Sequence, residues 1–335
     1  MRKFKYSTFA DCINKFPKKR ILVIGDLLLD QYVWGDVSRI SPEAPVPVMW
    51  VKKEDFIPGG ACNVANNLAK FGAQVLLAGV IGKDVRGELL KDRLEERNIV
   101  IDGVFADGKR PTSLKTRVIA HSQQVVRIDR EDISAIVGSV ARKIIDYVEQ
   151  NIQEVDGVII EDYGKGVVSP ELLKSIVSIA RKNGKIVAVD PKENHFSYYK
   201  GVNVITPNNH EAARAVGFPL DNTEDIKKAG EKLLKKLKTD SILITLGEEG
   251  MMVFEKGKKP HRIPTFAQEV FDVSGAGDTV IAAYTLSMVC GVSSLMAAHI
   301  ANCAAGVVVG KVGTAVVSRD ELLARVKQEI EGKKV

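Results

Sequence analysis

The stretch Asp272-Val273-Ser274-Gly275-Ala276-Gly277-Asp278-Thr279 holds the residues best suited to chemistry. Gly275, Ala276 and Gly277 crowd a turn. Asp278 follows, and then an apolar run that can form a helix, beginning Thr279-Val280-Ile281-Ala282-Ala283. A glycine-rich turn entering a helix points free N–H groups and the positive dipole end at one spot, where an anion binds. A carboxylate there repels the anion, so it is not the anion's ligand. It suits a base that takes a proton from a hydroxyl attacking the anion's phosphorus. The dipole should keep Asp278 ionised and therefore a weak base, which suffices if proton transfer comes late. The alternative is a glycine turn with Asp278 as a helix-start residue.

Such a site needs a frame that brings distant residues to one edge. Arg20 to Gly25, Gln74 to Gly82, Gly157 to Ile160, Lys185 to Val189, Val202 to Ile205 and Ile242 to Leu246 are short apolar runs that read as buried strands. Segments with helical patterning alternate with them, which predicts a doubly wound α/β layer structure. Asp26, Asp30, Asp162, Asp190, Asn208 and Thr245 lie at strand ends. In open α/β sheets that carboxyl-terminal edge is where ligands bind. From Tyr32 to Val51, strand formers mix with Pro42, Pro45 and Pro47, which exclude a helix and a central strand. This segment reads as a lid, and the strands near 100–130 could complete its sheet. The expected organisation is an arm over 1–19 and one domain over 20–330, with lid segments at 32–51 and 100–130.

Several other residues point to the same chemistry. Asn208 and Glu211, three apart after Pro207, share a helix face and suit Mg²⁺ held largely through waters; an Asn helix cap is the alternative. Gly59 and Gly60 allow close backbone approach, and the Asn63 amide can bond hydroxyls. Arg39, Arg117 and Arg127 on the lid strands offer forks for a phosphate. No Walker-type Gly-x-x-x-x-Gly-Lys-Ser/Thr is present, and no Gly-x-Gly-x-x-Gly follows the first strand, which weakens a dehydrogenase reading.

Bulk properties narrow the class. The 335 residues are 45% hydrophobic and 27% charged, with a formal charge of +6. That is an ordinary soluble balance, and the spread-out excess suits an anionic small substrate or a solvated surface. No basic stripe carries interleaved aromatics, which argues against nucleic acid. Thr279 to Gly310 lacks charge, but Gly291-Val292-Ser293-Ser294 divides it, so two buried helices are expected and no membrane span. Cys12, Cys62, Cys290 and Cys303 lack paired or metal-like spacing, as free thiols in a reducing cytoplasm would.

Gly59-Gly60-Ala61-Cys62-Asn63-Val64-Ala65 and Asp272 to Thr279 resemble the two signatures of the PfkB (ribokinase-like) sugar kinases, and the similarity runs from about Arg20 to Arg325. Gly25 to Asp30, Ser38 to Val48, Asp162-Tyr163-Gly164-Lys165-Gly166, Asp190-Pro191-Lys192 and Thr206 to Glu211 are similar to the heptose-7-phosphate kinase branch. The resemblance implies a ribokinase-like fold with a β-sheet lid that often forms a dimer interface. It implies Asp278 as base and the N–H groups of Gly275, Ala276 and Gly277 as anion hole. Asp26, Asp30, Gly59, Gly60, Asn63, Asp162 and Lys192 would meet the sugar, with Arg39, Arg117 or Arg127 on its phosphate. Asn208 and Glu211 would position Mg²⁺. Asn208, Thr245, Gly247, Gly250, Asn302 and Gly306 would line the ATP site. A monovalent cation, K⁺, near Asp272 is a further candidate.

In this branch ATP and D-glycero-D-manno-heptose 7-phosphate give the 1,7-bisphosphate, toward ADP-heptose and lipopolysaccharide core. Many relatives carry a fused adenylyltransferase; this sequence has no His-x-Gly-His, so kinase activity alone is expected, as a cytoplasmic homodimer. Glu161 stands where an apolar or small residue is more usual, and no role follows from the resemblance. The rivals are another PfkB sugar kinase (for fructose 6-phosphate, tagatose 6-phosphate or a nucleoside) and a catalytically silent binding regulator.

Overall fold

The computed structural model describes residues 4–121, 123–265, 270–311 and 315–332. Helix α1 (Tyr6–Ile13) precedes β1 (Arg20–Ile40), and β2 (Pro47–Gly60) returns antiparallel to it. Then come α2 (Ala61–Lys70), β3 (Gln74–Gly82), α3 (Val85–Glu95) and β4 (Val100–Asp107). The hairpin β5 (Ser113–Ala120) and β6 (Gln123–Arg130) leads into α4 (Ser139–Asn151) and β7 (Gly157–Glu161). Helix α5 (Pro170–Lys182), β8 (Ile186–Asp190), β9 (Val204–Ile205), α6 (Asn209–Val216) and α7 (Thr223–Leu237) follow. The chain continues with β10 (Ser241–Thr245), β11 (Met251–Glu255) and β12 (His261–Ile263). It closes with α8 (Ala276–Val289), α9 (Ser294–Val308) and α10 (Arg319–Glu331).

The core sheet has the order β12-β11-β10-β9-β8-β7-β1-β3-β4. Pairs from β10 to β4 are parallel; β10/β11 and β11/β12 are antiparallel. Alternation along β1 explains why both faces are covered. Ile21 and Val23 point into one apolar cluster with α1, α2, α8, α9 and α10; Leu22 and Ile24 point into the other with α4, α5 and α7. Ligands should therefore collect at the carboxyl edge, where β1, β7, β8 and β10 end.

β1 is far longer than the run Arg20 to Gly25 predicted. Its second half leaves the core and becomes the centre of the lid, pairing with β2 and, from Leu28 to Gly35, with β5 in parallel. The lid order is β2-β1-β5-β6. The expected lid segment 100–130 is only partly so placed: β4 pairs with β3 in the core, because Val104 packs into the cluster that holds α3 and Phe105 against the one that holds α4. The uncharged stretch does divide in two, as α8 and α9, and no helix among the described residues is long and apolar enough to cross a membrane. The four cysteines are free.

Candidate active site

Two helix N-termini meet at the centre of the molecule. Gly275, with φ of +77°, turns the chain into α8. Gly60, with φ of +58°, turns it into α2, and a Cβ there would stand 2.6 Å from the Asp26 carbonyl oxygen, so glycine is required. Side chains tie the two helices together. The Asn63 amide donates to Asp278 Oδ2 at 2.6 Å, and the Thr279 hydroxyl donates to Asn67 Oδ1 at 2.9 Å. Residues from opposite ends of the chain thus fix the carboxylate.

Two clefts flank the start of α8. One, of about 480 Å³, is lined by Thr245, Gly247, Gly250, Asn302 and Gly306, with Ala276 and Gly277 of α8 on its wall. Glu248, Met251, Thr265, Val270, Val273, Val280, Ala305 and Val309 complete it, so it is mainly apolar, as the plane of an adenine needs. The other cleft, of about 180 Å³, is lined by Leu28, Asp30, Gly59, Gly60, Lys115, Arg117, Tyr163, Ser274, Gly275 and Asp278. The expected nucleotide residues other than Asn208 share the first cleft. Asp30, Gly59, Gly60, Arg117 and Asp278 share the second, and Asn63 lies beneath it.

Of the three amides expected to bind an anion, Ala276 N–H instead donates to the Val273 carbonyl at 3.2 Å. The Gly275 N–H and the first-turn N–H of Gly277 remain for a ligand. Asp278 is 5% exposed. The sequence suggested a weak base, but burial outweighs both the helix dipole and the bonds from Asn63 and Tyr163, and its pKa is pushed up to about 6. Such a carboxyl is ionised at neutral pH yet basic enough to take a proton. The Tyr163 hydroxyl donates to Asp278 Oδ1 at 3.2 Å, and the Asp278 charge together with burial holds Tyr163 neutral, well above its usual range.

Glu161 and Asp190 are register partners at the ends of β7 and β8, and with Asp278 they bring carboxylate oxygens within 4.8 Å of one another. Burial drives both Glu161 and Asp190 well above the usual carboxylate range; the charges of Asp190 and Asp278 add to it at Glu161, and those of Glu211 and Asp278 at Asp190. A proton is therefore retained in this cluster. A carboxyl with a raised pKa binds more protons folded than unfolded, so its contribution is full at low pH and lost as pH climbs through the raised value. Glu161→Gln should therefore flatten the fall in Tm as pH climbs above the usual carboxylate range, measured by thermal melts in EDTA. An unchanged slope would contradict a proton held at Glu161.

Asn208 and Glu211 form a reciprocal capping box at the start of α6. Each accepts the other's backbone N–H at 2.9 Å, which is the Asn-cap alternative realised. The box leaves one Glu211 oxygen uncommitted. Asp190 is pushed up partly by the Glu211 charge, and Glu161 Oε2 is buried without a hydrogen-bond partner in the structure. This excess of negative charge beside the first cleft fits a divalent cation.

Five expected substrate residues lie outside the second cleft. Asp26 accepts backbone N–H from Tyr163, Lys165 and Val167 at 2.9, 2.9 and 3.0 Å, so it anchors that loop; burial pushes its pKa up to about 6. Asp162 accepts from Tyr199 OH at 2.7 Å and faces His195. Lys192 lines a different cavity and pairs with Glu193 at 3.1 Å. Arg127 is paired with Asp129 on β6, and Arg39 lies near the exposed end of β1. A strand-end position says that a residue is near the edge, but not whether its side chain turns to a ligand or to local partners, as Asp26 and Asp162 do here. Sequence reasoning missed Lys115 and Tyr163. The signal for Tyr163 was its place in Asp162-Tyr163-Gly164 directly after a buried strand.

Comparison with known proteins agrees with this geometry. The chain is 47% identical over 307 residues to the "Bifunctional protein HldE" of Citrifermentans bemidjiense, covering 92% of this chain and 63% of that protein. It is 45% identical over 304 residues to the "Bifunctional protein HldE" of Helicobacter pylori strain J99, covering 91% and 65%. The chain thus spans less than two thirds of the length of either relative. Arabidopsis thaliana ribokinase complexed with ribose and ATP superposes with a TM-score of 0.75 at 22% identity, covering 92% of this chain and 99% of that one. Escherichia coli phosphofructokinase-2 in complex with potassium gives 0.76 at 20%, covering 92% and 98%. These likenesses show that the fold is ribokinase-like. A sequence profile described as pfkB family carbohydrate kinase matches residues 18–321, which takes in both glycine signatures and both clefts, and the chain belongs to that family.

Proposed function

We propose that this chain transfers the γ-phosphoryl group of ATP to the anomeric hydroxyl of D-glycero-β-D-manno-heptose 7-phosphate, toward ADP-heptose in lipopolysaccharide core synthesis. The observation that carries the reading is the pair of clefts facing each other across the start of α8, with Asp278 on the acceptor side. The similarity to the two HldE proteins and the lid sequence Ser38 to Val48 favour the heptose phosphate over fructose 6-phosphate, tagatose 6-phosphate or a nucleoside. A silent regulator has no use for a buried carboxylate fixed by Asn63 and Tyr163.

The reaction is an in-line displacement. Asp278 takes the proton of the anomeric hydroxyl as that oxygen bonds to the γ-phosphorus. The bond from phosphorus to the ADP oxygen breaks, and its electron pair leaves on ADP. The Gly275 and Gly277 N–H groups and the α8 dipole stabilise charge on the transferring group. Glu211 and Asn208, with Asp190 beside them, would hold Mg²⁺, which supplies charge neutralisation to the phosphates. The lid keeps water from the acceptor, limiting ATP hydrolysis. Exposed Ile40, Trp50, Val126 and Ile128 on the lid support a homodimer through that sheet. K⁺ near Asp272 is a further cofactor of this reading, and the cytoplasm, where ATP is made, is its place.

A base must be ionised to act, so kcat/KM should be full above the pKa of Asp278 and fall about tenfold per pH unit below about 6, once substrate phosphate ionisations are accounted for. A flat profile down to about pH 5 would argue against Asp278 as base. The identity of the acceptor is tested by ADP release over a panel of phosphosugars and free sugars. Turnover of the heptose phosphate is expected; turnover of fructose 6-phosphate alone would overturn the substrate assignment and leave the kinase.

A further inference from the structure

Around the acceptor cleft, β5, β6 and the loop after β7 bring four cations close together: Lys115, Arg117, Arg127 and Lys165. Arg117 pairs with Asp30, Arg127 with Asp129, and Lys165 with Glu131. Among the described residues Lys115 has neither an ion pair nor a hydrogen bond; its ammonium lies over the Tyr163 ring, 5.9 Å from the centroid. It lines the cleft directly. We propose that Lys115 is the residue that binds the phosphate of the phosphosugar acceptor, and so sets the preference for a phosphorylated over a free sugar.

The placement suits that role. Tyr163 donates its hydroxyl to Asp278 and carries Lys115 over its ring, so one side chain touches both the base and the free cation, and both line the same cleft. A sugar whose reacting hydroxyl meets Asp278 presents its far end toward β5, where Lys115 faces the cleft. Arg117 is less available, because Asp30 neutralises it and Tyr32 lies under its guanidinium, 5.3 Å from the ring centroid. Burial and the charge of Lys165 both disfavour the protonated Lys115 amine. A bound phosphate dianion reverses that penalty, so this lysine gains from the ligand that a paired cation would not. A hydrogen bond to a charged group contributes about 1.5–3 kcal/mol, or roughly 10–100-fold in binding.

This inference rests on the proposed phosphosugar kinase activity, and the test separates the two. Lys115→Met and Lys115→Arg are compared with the parent enzyme on the heptose 7-phosphate and on the same heptose without phosphate, with thermal melts as a folding control. Lys115→Met should raise KM for the phosphosugar roughly 10–100-fold, leave KM for ATP unchanged, and lower kcat/KM for the free heptose far less than for the phosphosugar. Lys115→Arg should restore most of the loss. An unchanged phosphosugar KM in Lys115→Met, or an equal loss on both sugars, would overturn the role of Lys115 while the kinase reading stands. Failure of the parent enzyme on every phosphosugar would instead overturn the activity itself and this inference with it.

Discussion

Asp278→Asn should lower kcat at least ~100-fold while ATP still binds. The substitution is close to isosteric: Tyr163 can still donate to a carbonyl oxygen in the place of Oδ1, and a flipped Asn63 amide can turn its unpartnered oxygen to accept from the new NH2, so the start of α8 keeps its shape. What is lost is the ability to accept a proton. The nucleotide cleft is lined from β10, α8 and α9, and Asp278 does not line it, so affinity for ATP should change little. Turnover near that of the parent enzyme would refute Asp278 as base. Joint loss of turnover and ATP binding would point to a collapsed helix start instead, which a nucleotide titration distinguishes.

Asp26→Ala should be the most destabilising single change at this edge of the sheet. It strips three backbone N–H groups, those of Tyr163, Lys165 and Val167, of their only carboxylate acceptor. The residue is 1% exposed, so water does not readily take its place. Leaving buried donors unpaired costs about 1–3 kcal/mol each, so a loss of roughly 3 kcal/mol or more is expected, and a fall in Tm of at least about 5 °C. Activity should fall as well, because the same loop carries Tyr163 to Asp278. The opposite pattern, a raised KM for the acceptor with an unchanged Tm, would mean that Asp26 is a sugar ligand and not an anchor.

These two carboxylates mark how far the sequence could be read. Apolar runs ending in polar residues announced a parallel sheet and its functional edge, because strands buried on both faces have little other way to be written. The glycines at 59–60 and 275–277 announced two helix starts, since their backbone geometry tolerates few other residues. Which strand-end carboxylate faces a ligand was not legible. Asp26 and Asp30 lie four residues apart on one strand, yet one faces the loop after β7 and the other the cleft, because β1 leaves the core sheet between them. The departure is written only weakly, in a run of lid residues that looked like a separate edge segment. Lys115 was hidden for a different reason. Its significance lies in which neighbouring cations are already paired, and pairing across β1, β5, β6 and the loop after β7 depends on register that spacing does not give. Glu161 appeared as an odd residue beside a familiar motif; only the β7–β8 register puts it against Asp190.

Asp278 with its two clefts makes one claim above all: phosphorus passes from ATP to a sugar hydroxyl, not to water. The direct measurement is ³¹P NMR of the reaction with ATP, Mg²⁺ and D-glycero-β-D-manno-heptose 7-phosphate. One new anomeric phosphate ester is expected for each ADP formed, with the 7-phosphate signal retained and no such product from Asp278→Asn. Inorganic phosphate appearing in step with ADP, without a new sugar phosphate signal, would contradict it.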